Sequence, residues 1–308
     1  MRVAIVIVGY NNAADIAACL AALAAQTHPA FHVVICENGD AGAYARLRDA
    51  VAGLQPGGQP PLLIAAPDNP GYAGGVNRGI AATPGADAWW VLNPDTVPDA
   101  PALAALVARA QRGDADVIGG TLYRADGTVQ SHGGRWRSHL ARVEAIGMGM
   151  AVGQTPDSAA IEQALDYQTG ASMLVTRRVI DMIGPMREDY FLYCEEVEWC
   201  LRAKAAGLKL GFAPGARVLH HQGATTGSAD GIRARPRLPI YLDERNKINM
   251  VRDTRPHHLP MAIPAALALL VLRFGRGRAW AQMRYAAAGW WAGVRNQRGK
   301  PGWLTQTR

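Results

Sequence analysis

VAIVIV at residues 3–8 is an unbroken apolar, mostly β-branched run, and it stops at Gly9-Tyr10-Asn11-Asn12. A strand with one face in water alternates apolar and polar residues. A run without alternation suits a strand covered on both faces, as in parallel α/β sheets. The segments that follow fit such a sheet. Asp15–Ala25 is rich in Ala and Leu and predicts a helix. Phe31–Cys36 is a second apolar strand, closed by the turn sequence Glu37-Asn38-Gly39-Asp40. Residues 43–54 read as a helix and Leu62–Ala65 as a third strand. Gly71–Gly75 leads into a helix near Val76–Ala81, and Trp89–Leu92 is a fourth strand ending at Asn93-Pro94-Asp95. This alternation predicts an α/β fold with a parallel, Rossmann-like sheet. Beyond it, Val117–Leu122, Met173–Thr176 and Leu208–Ala213 read as strands, with Val218–His220 extending the last. Val179–Ile183 and Glu195–Ala206 read as helices, and residues 124–165 as irregular structure.

The 308 residues carry 32 Lys/Arg against 25 Asp/Glu, but the excess is local. From Arg233 onward there are 15 Lys/Arg and 3 Asp/Glu, a net +12, and the preceding 232 residues are net −5. A basic tail suggests an anionic partner, nucleic acid or membrane. No nucleic-acid-binding motif accompanies the charge, so nucleic acid is not the expected partner. The four cysteines form no CxxC pair, which argues against a structural zinc and fits a reducing compartment. The apolar N-terminus continues straight into strand-and-turn pattern and is read as a strand, not a signal peptide. There is no P-loop signature, and Gly71–Gly75 is no GxGxxG, which disfavours a nicotinamide site and leaves a phosphate cradle at the next helix start open.

In α/β sheets ligands bind beyond the carboxyl ends of the strands. Asn11, Glu37, Asn38, Asp68, Asn69, Asn93 and Asp95 all follow expected strands. Asp95 is a candidate ligand for a hard divalent cation, or else a turn-forming residue. Phe191–Trp199 sets Glu195, Glu196 and Glu198 among aromatic side chains. Crowding and burial raise carboxylate pKa values and suit a general base, whereas the same glutamates also suit a helix N-terminus. His220 and His221 follow a strand and could ligate a metal or bind phosphate.

Seven segments in this order resemble the family 2 glycosyltransferases, within them the rhamnosyltransferase-like group. They are VIVGYNN at 6–12, ENGD at 37–40, DNPGYAGGVNRGI at 68–80, LNPDT at 92–96, TGASMLVTRRVIDMIGPMREDYFLYCEEVEWCLRAKAAG at 169–207, VLHHQGATT at 218–226 and YLDERNKINM at 241–250. The resemblance implies a GT-A fold over residues 1–255, followed by a helical tail over 256–308. It implies transfer of a sugar, with inversion, from a nucleoside diphosphate. Gly9, Tyr10, Glu37, Asp68 and Asn69 would lie at the nucleotide base, with Asn77 and Asn93 in the nucleotide-sugar cleft. Glu37 stands where the family usually has Asp. Asp95 resembles the last acid of the metal motif and His220 the metal-coordinating histidine, for Mg2+ or Mn2+. Glu196 matches the catalytic base, with Glu in place of the usual Asp, and Glu195, Glu198 and Trp199 would support it or orient the acceptor. Arg245 and Asn246 match an R-N pair with no assigned role.

The expected donor is dTDP-rhamnose, with UDP- and GDP-sugars as alternatives, and the acceptor a cell-surface glycan or lipid-linked glycan. The competing class is a non-catalytic sugar-nucleotide-binding subunit of a glycan assembly complex. In the tail, residues 259–272 form about 14 uncharged residues, short of the roughly 20 needed to span a bilayer. Arginines and Trp280, Trp290 and Trp291 follow. Such a tail suits helices lying in an anionic membrane surface, at the cytoplasmic face of the cell membrane. The alternative is a helical hairpin packed on the domain or in a homo-oligomer interface.

Overall fold

A computed structural model describes residues 1–154, 156–221 and 231–304. The first half alternates as its sequence implies: β1 (Val3–Gly9), α1 (Ala13–Leu23), β2 (Phe31–Glu37), α2 (Ala41–Ala50), β3 (Leu62–Ala65), α3 (Gly71–Ala81), β4 (Ala88–Leu92), β5 (Thr96–Pro98) and α4 (Ala102–Gln111). Then come β6 (Val117–Tyr123), β7 (Val129–Ser131), the paired β8 (Gly134–Arg137) and β9 (Arg142–Ala145), α5 (Ser158–Ala164), β10 (Ser172–Thr176), α6 (Arg177–Ile183), α7 (Glu195–Ala205) and β11 (Leu210–His220). Helices α8 (Gly231–Ala234), α9 (Arg237–Thr254), α10 (Leu259–Arg276) and α11 (Trp280–Val294) complete the order.

The main sheet runs β3-β2-β1-β4-β10-β6-β11-β5, with β7 beside β6. It is mixed, not wholly parallel as the strand pattern predicts. β3, β2, β1 and β4 are parallel, but β10 is antiparallel to both β4 and β6. The cause lies at the entry to β10: Ala171, just before it, accepts a hydrogen bond from the Asn93 N–H, just after β4, so β10 starts where β4 ends. Every residue of β1 and β4 is buried, which explains the unbroken apolar runs. The irregular stretch 124–165 resolves into β7, the β8–β9 hairpin and α5, and the two strand segments at 210–220 are one strand.

The glycine-rich segment is inside helix α3, which begins at Gly71, and is not a loop leading into it. A Cβ on Gly75 would sit 2.7 Å from a Val8 methyl and one on Gly79 2.5 Å from a Val6 methyl. These glycines let α3 pack directly on β1.

The tail packs on the rest of the chain. Gly289 and Gly293 of α11 face α9 so closely that a Cβ would lie 2.2 Å from the Tyr241 carbonyl oxygen and 2.6 Å from that of Arg245. Helix α10 buries Ala262, Ala266, Leu270 and Phe274, spaced four apart along one face. Its opposite face leaves Met261, Val271 and Leu272 exposed. The helical stretch Pro256–Arg276 has 21 residues, and by length and composition alone it could cross a membrane, which revises the shorter span counted from the sequence.

Candidate active site

Two groups of polar side chains meet at the carboxyl end of the central strands. The first is built by β5 and β11, whose antiparallel register sets His220 opposite Thr96. His220 Nε2 lies 3.3 Å from Asp95 Oδ1, both side chains being under 9% exposed. His220 Nδ1 is 3.0 Å from Gln130 Oε1 on β7, and the His221 N–H donates to the Asp95 carbonyl. Burial disfavours the charged form of Asp95, but the hydrogen bond and charge of His220 outweigh it and hold its pKa below the usual Asp value. Asp15, in the first turn of α1, is close enough to shift the other way, raised by burial and by Asp95, with His221 opposing.

This pair fits a divalent cation. With Nδ1–H donating to Gln130, Nε2 turns a lone pair toward a carboxylate oxygen, an arrangement satisfied by a proton or a cation between them. Among the described residues no three or more His, Cys, Asp or Glu side chains are grouped so that they could together hold a metal ion. Two protein ligands suit Mg2+ or Mn2+ bound mainly through substrate phosphates and water. Gln222–Thr226 of the VLHHQGATT segment lie outside the described residues.

The second group sits at the N-terminus of α7. Glu195 is 2% exposed, and its Oε2 finds no hydrogen-bond partner among the described residues. Burial first, and then the adjacent Glu196 carboxylate, push its pKa up to about 8. Glu196 is raised by burial and by Asp243, against backbone N–H groups of Glu196 and Val197 that favour its charge. Glu195 is buried and Glu196 half-buried, and adjacent carboxylates of this kind titrate as a unit. The pair reaches the end of β4 through Gly170, whose absent Cβ would lie 3.5 Å from Glu196 Cβ and 3.4 Å from the Tyr72 hydroxyl. Tyr72 donates to the Gly170 carbonyl at 2.8 Å. Its phenol is driven well above its usual pKa by burial and by Glu196, Glu195 and Asp95 together, so it stays neutral and links the two groups electrostatically.

Glu198 and Trp199 are engaged elsewhere. Both Glu198 oxygens accept from Arg202, at 3.0 and 3.2 Å. Arg202 also donates to the carbonyls of Ile183 and Pro185. Trp199 is 1% exposed and donates its indole N–H to the Gly184 carbonyl. Both anchor α7 to the chain following α6, away from the open end of the pair.

At the nucleotide end, Gly9 leaves room for Glu37: a Cβ there would lie 2.5 Å from Glu37 Oε2. Glu37 is 1% exposed, and its Oε1 accepts from the N–H groups of Asn11 and Gly39. It therefore shapes the β1–α1 loop and is not open to a base. Tyr10 is exposed beside a cleft of about 640 Å³ lined also by Asn11, Asn12, Asp15 and Arg46. Asp68 forms a two-pronged ion pair with Arg78, at 2.6 and 2.9 Å, which lowers its pKa. Asn69, at φ 47°, has its side-chain oxygen 3.3 Å from the Gly71 N–H. Asn77 is occupied by both backbone groups of Met186 and by Glu188. Asn93 is half-buried at the end of β4. The residues that converge are thus Asp95, His220, Glu195 and Glu196. Gln130, Tyr72 and Asp15 join them without having been singled out from the sequence. Tyr72 stood within the DNPGYAGG segment, whereas Gln130 carried no local signal.

The mixed α/β sheet, with these polar groups at the carboxyl end of its strands, has the GT-A architecture. Solved structures share the architecture. A mannosyltransferase from Pyrobaculum calidifontis, in complex with GDP-Man and Mn2+, superposes with a TM-score of 0.58 at 15% identity, covering 96% of this chain and 88% of that one. TarS residues 1–349 of S. aureus give 0.55 at 11% identity, with 96% and 81% coverage. The family model described as glycosyltransferase like family 2 matches residues 1–237, and the chain belongs to that family. A hexosyltransferase of low-salt glycan biosynthesis from Haloferax volcanii is 26% identical over 182 residues, 58% of this chain and 56% of its own length. An N-acetylglucosaminyl-diphospho-decaprenol L-rhamnosyltransferase from Mycobacterium tuberculosis is 28% identical over 178 residues, 52% of this chain and 58% of its own. The matches thus span a little over half the length of these relatives.

Proposed function

We propose that this protein is an inverting, cation-dependent glycosyltransferase that moves a sugar from a nucleoside diphosphate to a lipid-linked or cell-surface glycan. The carrying observation is that Asp95, which pairs with His220, and the Glu195–Glu196 pair all act on one phenol, Tyr72. Asp95 and His220 would hold the cation, which supplies positive charge to the departing diphosphate. Glu196, in its ionised form, accepts the proton of the acceptor hydroxyl as that oxygen bonds to the anomeric carbon. The bond from that carbon to the diphosphate oxygen breaks, and its electron pair leaves with the nucleotide. Attack opposite the leaving group inverts the configuration. Tyr72, kept neutral, can donate a hydrogen bond but cannot compete as the base.

Rhamnose is the favoured sugar and a diphospholipid-linked glycan the favoured acceptor, on the strength of the mycobacterial relative's name. Such an acceptor would place the enzyme at a membrane, on its cytoplasmic face, where nucleotide sugars are made. The exposed Met261, Val271, Leu272, Trp280 and Trp291, with Arg276, Arg278 and Arg284 nearby, suit an anionic lipid surface. The test is a donor panel of dTDP-rhamnose, UDP-sugars and GDP-sugars, with Mn2+ or Mg2+ and a polyprenyl-diphosphate-linked acceptor, scored by nucleotide release and label transfer. Donor binding without transfer in every combination would favour a non-catalytic subunit. Full transfer by Glu196→Gln would remove Glu196 from the mechanism.

A further inference from the structure

The loop that delivers Glu195 and Glu196 is strained. Phe191, Tyr193 and Cys194, none of them glycine, have φ of 68°, 72° and 74°. Each such residue costs roughly 1–3 kcal/mol and persists only where its surroundings overdetermine it. Two side chains on α9 take three of the loop's carbonyls, alongside backbone bonds from Phe191 to Glu188 and from Leu192 to Tyr190. Asn246, fully buried, donates from its Nδ2 to the carbonyls of Tyr190, Leu192 and Tyr193 at 2.8–2.9 Å. Arg245, 1% exposed, donates to the Tyr190 carbonyl at 2.9 Å and to the side-chain oxygen of Asn246 at 2.9 Å. Its remaining fork reaches the Gly299 carbonyl at 2.7 Å, and the Gly299 N–H returns to the Asp189 carbonyl. The fourth carbonyl of the loop, on Phe191, takes the Tyr72 N–H, which is possible only because residue 71 is glycine: a Cβ there would lie 2.1 Å from that oxygen.

Burying a guanidinium is costly unless its donors are satisfied. Among the described residues no carboxylate hydrogen-bonds to Arg245; its donors go to carbonyls and to the Asn246 amide, and burial lowers its pKa. A core that needed only stability would be better served by apolar side chains. What the arrangement provides is a fixed path for the backbone immediately before the carboxylate pair. We propose that Arg245 and Asn246 are positioning residues for the transfer reaction, setting Glu195 and Glu196 through the carbonyls of Tyr190–Tyr193, with Gly299 of the C-terminal segment as the third anchor. This rests on the reading of Glu196 as the base. It also makes the C-terminal segment a working part of the site: Arg298 pairs with Asp189 and Asp253, and the Trp303 ring packs edge-on against Tyr241.

The experiment uses the full-length chain with Asn246→Asp, which keeps the shape and removes both donors, and Arg245→Lys, which keeps a cation with fewer donors. In Asn246→Asp, kcat falls about 100-fold with donor KM within about twofold of wild type. The acid limb of its kcat/KM profile moves to lower pH as water reaches the pair, and Arg245→Lys falls between it and wild type. A second readout needs no activity. Cys194, in the loop, is buried, as are Cys19 on α1 and Cys36 on β2. Maleimide labelling mapped by mass spectrometry should show Cys194 gaining reactivity in Asn246→Asp while Cys19 and Cys36 stay protected. Unchanged kcat, pH profile and labelling would overturn the proposal. So would equal labelling of all three thiols with activity lost only in proportion to folded protein, which is a merely structural role. If wild-type protein transfers no sugar, selective Cys194 labelling still shows the loop held by Asn246, and it is the glycosyltransferase reading that fails.

Discussion

Asp95 Oδ1 and His220 Nε2 face each other at 3.3 Å, and Gln130 holds the other ring nitrogen. A histidine fixed this way is set in orientation and tautomer before any ligand arrives. Gln130→Ala should therefore leave the fold intact and weaken Mn2+ or Mg2+ activation by about 10–100-fold. Asp95→Asn should abolish activation, and chelator should silence the wild type reversibly. Metal titration of transfer activity checks all three, and a Gln130→Ala activation constant equal to wild type would remove Gln130 from the site.

The carboxylate pair predicts the pH dependence of turnover. Glu196 must be ionised to accept a proton, and burial with Asp243 raises its pKa. The acid limb of kcat/KM should lie above the ordinary Glu value of 4.5. Asp243→Asn removes one negative charge and leaves Lys247, which donates to Asp243, less neutralised. Both changes favour the charged form of Glu196, so the acid limb should move to lower pH. Glu196→Gln should lower kcat by about 10²–10⁴-fold. An Asp243→Asn profile displaced upward, or not at all, would contradict this electrostatic account.

Much of this site was legible because strand ends and turns carry local signals. The apolar runs placed β1, β2 and β4, and Asp95, Glu196 and His220 followed from motifs anchored to strand or helix ends. The antiparallel insertion of β10 was not legible, because an apolar run does not record its direction. Nor was the fate of individual polar groups. Glu37, Asn77 and Glu198 resemble ligand-facing residues in sequence, but the amides of Asn11 and Gly39, 26 and 2 residues away, Met186, 109 away, and Arg202, 4 away, take them. Gln130 was invisible because its meaning comes from β7 lying against β6, a pairing with no sequence signal. Arg245 and Asn246 were visible as a pair, but their role lay in carbonyls more than 50 residues earlier.

Glu195 also predicts a stability trend. In the fold its pKa is about 8, against 4.5 when exposed, because burial and Glu196 disfavour its charge. A raised acid of this kind costs nothing below the exposed value. Its cost grows as pH rises from about 4.5 and is complete above about 8. Glu195→Gln removes the charge and keeps the shape. The variant should match wild type in stability near pH 4 and exceed it by up to about 5 kcal/mol at pH 9, about 1.4 kcal/mol for each pH unit between the two values. Denaturant melts at the two values measure it, and a gain that is equal at both, or larger at low pH, would show that Glu195 is ionised without penalty.

The tail makes the last prediction, and its packing decides how to test it. Deleting 259–308 would remove α11 from α9 and Gly299 from Arg245, so lost membrane binding would be confounded with unfolding. Point changes on the exposed face avoid this. Trp280 and Trp291 are 60% and 53% exposed, and Trp291 otherwise lies beside the Trp290 ring, so replacing them with Ser removes mainly solvent-facing apolar surface. Each exposed ring that enters a lipid interface contributes on the scale of its buried area, roughly 25 cal/mol per Å². The double variant Trp280→Ser/Trp291→Ser should keep the wild-type melt and soluble-donor binding, yet bind anionic vesicles at least tenfold more weakly, a change of about 1.4 kcal/mol or more. Binding of the wild type should also weaken with salt, because arginines near that face add a screened attraction. Wild-type binding to neutral and anionic vesicles alike would leave only the apolar contribution. No binding to either, by protein that is fully folded, would leave the exposed face to another copy of the chain, which sedimentation velocity would reveal as a dimer lost in the double variant.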